Sequence, residues 1–235
     1  MELTALSLRL HALSALRGLQ QHPLVKTTAA VLDVLDGADA ARFADAYGAL
    51  CAAHYTYGDA AQALLDAAHY DVNTLTDTLS APAAALLGAA TVDIEAINAL
   101  LAVDGAALKT AAAGRYNTPA LLTLPDFPAS APLPFRDGAE LASYYRAQGY
   151  GFFAQSSAFA VQDDGSVSPI VHPDAIRLHD LPGYERQKQQ ILKNTRAFLD
   201  GREANNILLY GDKGTGKSST VKAVVNEYAE RGLKI

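Results

Sequence analysis

Tryptophan is absent from this 235-residue chain, and cysteine and methionine occur once each. A single thiol, Cys51, cannot close an internal disulfide, so no framework of crosslinks holds the fold, and a reducing compartment suits it. Its alanine-rich surroundings make Cys51 a small buried hydrophobe rather than a reactive group. The six histidines, at 11, 22, 54, 69, 172 and 179, show no ligand spacing, and with one cysteine they form no metal centre of their own. No GxSxG elbow occurs, and Asn73, Asn117 and Asn194 are not followed by a glycosylation pattern. No uncharged apolar run is long enough to cross a bilayer, since the alanine-rich stretch after Pro82 meets Asp93, Glu95 and Asp104. Leucines at 3, 6, 10, 13, 16 and 19 follow Glu2 and are interrupted by Arg9 and Arg17, which predicts an amphipathic core helix over 1–20 rather than a signal peptide. These absences point to a cytoplasmic protein with no membrane partner.

Half of the residues are hydrophobic, which makes the chain globular rather than disordered. The net charge of −6 is unevenly shared: residues 1–115 carry 12 acids and 6 bases, whereas residues 176–235 carry 7 acids and 11 bases. An acidic front half argues against a grip on nucleic acid there, and a basic end suits a polyanionic ligand.

Residues 1–115 form the first domain, in which leucine and alanine recur at helical spacing between breaks at Pro23, Gly37, Gly58, Pro82, Gly105 and Gly114, predicting a bundle of five to seven helices. Residues 116–175 form a second part. Prolines at 119, 125, 128, 132 and 134 make its start an extended, non-helical strap held by Leu121, Leu122, Leu124 and Phe127. A short helix, Gly138 to Gln148, follows, then an aromatic patch of Tyr150, Phe152, Phe153 and Phe159 suited to packing between domains. Asp164-Gly165 between Phe159–Val161 and Val167–Val171 signals a hairpin, with Pro169 on an edge. In the third part, 176–235, Ile191, Leu192, Thr195, Phe198 and Leu199 share one helix face that Gly201 closes.

The chemistry lies in that third part. Ile207 to Tyr210 read as a buried parallel strand, and Gly211-Asp212-Lys213-Gly214-Thr215-Gly216-Lys217-Ser218 is a complete GxxxxGK[ST] phosphate loop. From Lys217 onward Val221, Val224, Val225 and Tyr228 mark an amphipathic helix that Gly232 ends. The glycines let backbone N–H groups approach an anion, and the helix N-terminus behind them carries unpaired N–H groups and partial positive charge. Gly211 through Ser219 are therefore the candidate nucleotide-binding residues. Lys217 is placed to reach between β- and γ-phosphates, as the one catalytic candidate, and the Ser218 hydroxyl to ligate Mg²⁺. ATP and magnesium are the ligands this pattern calls for.

The run Asp180-Leu181-Pro182-Gly183-Tyr184-Glu185, the helix after it, and Asn205-Asn206-Ile207-Leu208-Leu209-Tyr210 with its loop resemble the opening of an AAA-type ATPase core. More closely, residues 144–235 are similar to a bacterial family of AAA-type ATP-binding proteins with no assigned cellular role, whose members join a divergent helical region to this module. The resemblance implies that Leu181, Gly183 and Tyr184 lie against adenine, and that a Walker B acid pair, a sensor residue, an arginine finger and a helical lid complete the family's site. None of these later motifs is matched by Ile235. The expected fold class is a mainly α N-terminal helical domain followed by the beginning of an α/β P-loop domain of the AAA type, truncated after the phosphate-loop helix. Hydrolysis by this chain alone is not expected, because metal and water positioning need acids beyond the loop.

Two functional classes follow. One is an AAA-type ATPase, able to assemble as a homo-oligomer, whose helical front receives a protein partner or regulates assembly. The other is a nucleotide-sensing module that binds ATP or ADP without turnover. A kinase or GTPase built on the same loop suits the helix before the strand less well.

Overall fold

A computed structural model describes residues 3–170 and 172–235. Glu2 and Val171, which enter the readings above, lie outside the described residues. The chain divides into two compact units, Met1–Arg146 and Ala147–Ile235.

The first helix, α1, spans Leu3–His11 and does not run to Gln20. The chain turns after His11 and resumes as a tight helical turn at Arg17–Gln21. Leu6, Leu10, Leu13, Leu16 and Leu19 are nonetheless all buried. What breaks the helix is a tertiary contact: Asp93 Oδ2 accepts the N–H groups of Ser14 and Leu16, each at 2.9 Å. The Gln20 amide meanwhile donates to the carbonyls of Leu10 and His11 at 3.1 and 2.7 Å, satisfying the end of α1.

Then come α2 (Pro23–Leu35), α3 (Ala40–Tyr57), α4 (Ala60–Tyr70), the single turn α5 (Thr74–Asp77), α6 (Ala84–Leu101) and α7 (Gly105–Tyr116). Asp39, Asp59 and Asp104 cap α3, α4 and α7, accepting N–H groups at 2.9, 3.1 and 2.6 Å. Part of the acidic surplus of the front half is thus spent at helix N-termini, where a carboxylate meets unpaired donors and the positive end of the helix dipole. Phe43, Tyr47, Leu50, Ile94, Ile97 and Leu108 sit in one hydrophobic core. By length and composition α6 is apolar enough to cross a membrane, a case the charges within it were expected to exclude. Here it is a core helix, with Ile94, Ile97, Leu100 and the bonded Asp93 buried.

The proline-rich strap belongs to this first unit. Pro119 opens a short helical turn, Pro119–Thr123, so the strap is not wholly extended; the missing proline N–H costs nothing at a first-turn position. Leu121 and Phe127 are buried as expected, Leu124 packs against the core, and Leu122 is exposed. Tyr47 and Tyr55 donate their hydroxyls to the carbonyls of Pro125 and Asp126 at 2.8 and 2.9 Å. The buried Lys109 donates to Leu124 O and Asp126 Oδ2, both at 3.0 Å. His54 stacks on Phe127 with ring centres 3.9 Å apart. Gly105 is required where α7 meets the strap, because a Cβ there would lie 2.5 Å from the Tyr47 hydroxyl. α8, Gly138–Gln148, follows and buries Leu141, Ala142 and Tyr145.

In the second unit, β1 (Phe159–Val161) and β2 (Val167–Pro169) form the expected hairpin, Phe159 opposite Pro169, with Gly165 at φ 82° in the turn. Phe152, Phe153 and Phe159 cluster beside it, ring centres 5.2 to 5.4 Å apart. Ile235 adds one step of parallel pairing next to β1: its N–H donates to Ser157 O at 2.9 Å and its carbonyl accepts from Phe159 at 2.8 Å. Two helices complete the unit, α9 (Glu185–Leu199), followed by Gly201 at φ 67°, and α10 (Lys217–Tyr228), followed by Gly232 at φ 86°. The chain is thus mainly helical, and an α/β P-loop domain is not formed by the described residues. Ile207–Tyr210, expected as a buried parallel strand, joins no sheet, and Leu208 and Tyr210 are 83 % and 89 % exposed. A strand needs a ladder of N–H and C=O partners on a neighbour, and no described segment lies beside this one to provide it.

Candidate functional site

Gly211, Gly214 and Gly216 take φ values of 141°, 84° and 76°, regions closed to most side chains. These turns carry the backbone from the extended 205–210 segment round to the start of α10. Among the described residues the N–H groups of Gly214, Thr215 and Gly216 make no hydrogen bond within the chain. The first N–H groups of α10 have no partner inside their helix either, so donors and the positive helix end converge on one exposed bend. Thr220 closes the first turn, its N–H and hydroxyl both donating to Gly216 O at 2.8 Å.

Lys217 folds back over this bend. Its Nζ donates to the carbonyls of Gly211 and Asp212 at 3.0 and 2.7 Å and to Thr215 Oγ1 at 3.3 Å, and the Thr215 hydroxyl donates to Asp212 O at 2.9 Å. The ammonium is held by neutral acceptors, which a phosphate oxygen outcompetes as a charged one. Asp212, Lys213 and Ser218 are exposed, and Ser219 is half-buried.

Leu181, Pro182 and Tyr184 line a groove of about 1060 Å³ together with Gly211, Asp212, Gly214, Thr215, Gly216 and Lys217. Gly183, Lys213, Ser218 and Ser219 are beside it rather than in its lining. Gly183 and Tyr184 both have positive φ, 79° and 57°. For a tyrosine that backbone costs about 1 kcal/mol or more, strain of the kind found at ligand sites. The buried Lys188 holds this stretch of the lining in place, donating to Leu181 O and, at 3.0 Å, to Glu185 Oε1.

Sequence reasoning missed the face of α9 that forms the groove wall, where Gln187, Gln190, Ile191 and Asn194 stand at helical spacing. The signal was present as a polar stripe, which reads equally as a solvated surface. For magnesium the chain offers the exposed Ser218 hydroxyl at the helix start, a fit for an ion that takes few protein ligands and completes its shell with phosphate oxygens and water. No cluster of three or more metal-ligating side chains occurs among the described residues.

Residues 154–235 match the model of a family described as protein of unknown function, DUF815. That span covers the hairpin, α9, the loop and α10. Its description assigns no activity. No curated protein and no solved structure matches the chain.

Proposed function

We propose that this chain binds Mg·ATP in the groove of residues 181–220, as the opening part of an AAA-type ATPase core. The observation that carries the reading is the bend at 211–216: three glycines at positive φ, unbonded N–H groups, a helix N-terminus and one lysine head brought together in one short stretch. In this reading the N–H groups of Gly214, Thr215, Gly216 and Lys217 donate to the β-phosphate. Lys217 trades its loop carbonyls for oxygens of the β- and γ-phosphates, and Ser218 gives one oxygen to magnesium. Leu181, Gly183 and Tyr184 take the adenine. The helical unit receives a protein partner or regulates homo-oligomeric assembly, in the cytoplasm.

A second reading, a sensor that holds ATP or ADP without turnover, is favoured by one feature. Asp212 is the only acid among the described residues lining the groove, and its carboxylate is exposed.

Calorimetric titration with Mg·ATP tests the binding claim. Lys217→Ala is expected to weaken binding by about 2 kcal/mol, roughly thirtyfold, the worth of a charge-assisted contact. Unchanged affinity would remove the lysine from the site. Phosphate release measured on the same samples separates the two readings: Lys217-dependent turnover supports the ATPase, and saturable binding with none supports the sensor.

A further inference from the structure

The extended segment that feeds the phosphate loop has almost nothing to hold it. Among the described residues the backbone N–H and C=O groups of 206–210 make no hydrogen bond. Its tie to the rest of the unit is one residue earlier, at Asn205, and comes from a side chain of α9. The Asn194 amide donates to Asn205 O at 2.7 Å, and the Asn194 carbonyl oxygen accepts the Asn205 N–H at 2.9 Å. These are the two bonds a neighbouring strand would make to that residue, supplied by a single amide group. They also fix which way the amide points, since the reversed orientation would set donor against donor and acceptor against acceptor.

The same helix also holds the Leu181 stretch of the groove lining, through Lys188 and the carbonyl of Leu181. Two side chains less than two turns apart on α9 therefore hold two separate parts of the lining: Lys188 the Leu181–Tyr184 wall, Asn194 the segment leading to the loop. We propose that Asn194 is a positioning residue of the nucleotide site, fixing the distance between the wall that meets the base and the bend that meets the phosphates. This rests on the ATP-binding reading above. A ligand that must touch both the wall and the bend depends on that distance; one that touches only the bend does not.

The test compares two ligands on the 235-residue chain, Mg·ATP and magnesium tripolyphosphate, by calorimetry. Asn194→Ala is expected to weaken ATP about tenfold while tripolyphosphate stays within about twofold, because only the spanning ligand loses its fixed spacing. Asn194→Asp keeps the side-chain volume and the acceptor but turns an anionic oxygen toward Asn205 O, and is expected to give the same ATP-selective loss with the helix intact. Lys217→Ala weakens both ligands. Parallel loss of both ligands in the Asn194 variants, or loss of neither, while wild type binds and Lys217→Ala binds more weakly, overturns the positioning role and leaves the ATP reading standing. A wild-type chain that binds neither ligand overturns both.

Discussion

Asp93 is buried to 2 % exposure with its carboxylate shared between two backbone donors, Ser14 and Leu16. Replacing it with alanine leaves two N–H groups unbonded, one of them fully buried, at about 1 to 3 kcal/mol each. Asp93→Ala is expected to lower the unfolding free energy of the helical unit by about 2 to 4 kcal/mol in urea titrations followed by circular dichroism, and Asp93→Asn, which keeps an acceptor oxygen, by less than half of that. A loss below about 0.5 kcal/mol for the alanine variant, the level of an ordinary surface change, would show that the turn is held by something else. The residue also marks where sequence reading stops. As a sequence position it is a charge interrupting an apolar run, and the leucine spacing through residue 19 fits a continuous helix. Leu6, Leu10, Leu13, Leu16 and Leu19 are buried in the broken form too, so periodicity cannot register the break. The partner that breaks it is some eighty positions away. Gly211, Gly214 and Gly216 were legible for the opposite reason: their role is local backbone conformation, which neighbouring residues specify.

At the scale of elements, α2 depends on an unusual cap. His22 Nδ1 accepts the Leu24 N–H at 3.3 Å, a role open only to the neutral imidazole. Burial lowers the His22 pKa from its ordinary 6.5, and burial against the strap lowers that of His54 as well. The unfolded chain therefore takes up these protons first as pH falls, so their contribution to stability is complete above about 6.5, declines below it, and levels off under the depressed folded values. His22→Asn keeps an oxygen acceptor at the cap. It is expected to leave stability at pH 7.5 within about 0.5 kcal/mol of wild type while flattening the decline between pH 6.5 and 5, read from urea midpoints across that range. An unchanged slope would take His22 out of the pH response. Elements were legible where their partners are close in sequence: the β1–β2 hairpin formed around Asp164-Gly165, whereas Ile207–Tyr210 has the composition of a strand and no neighbour to pair with. The groove face of α9 was hidden by being polar, since glutamine and asparagine at helical spacing look the same facing solvent or facing a ligand.

Across the whole molecule the apolar core is shared unequally. The large buried cluster runs from Leu6 to Tyr145, all in the first unit, while the second buries only Ala158, Ala223, Val224, Val225 and Tyr228 among its described apolar residues. A unit with so little buried surface sits low on the stability scale and opens easily. Binding energy added to it is then a large fraction of what it has: at a hundredfold excess over Kd, a ligand that binds only the folded form contributes about 2.7 kcal/mol. Mg·ATP is therefore expected to slow amide hydrogen exchange in residues 181–228 strongly, with the largest effect at the start of α10 and along α9, and to leave α2, α3 and α6 unchanged. Lys217→Ala, with its roughly thirtyfold weaker binding, should cut that contribution to about 0.9 kcal/mol at the same nucleotide concentration and reduce the protection accordingly. Protection confined to the second unit would mean that its site works as a self-contained module. Protection that spreads into the helical core would instead mean that nucleotide binding is transmitted between the units, the behaviour required of a helical region that regulates assembly or partner binding.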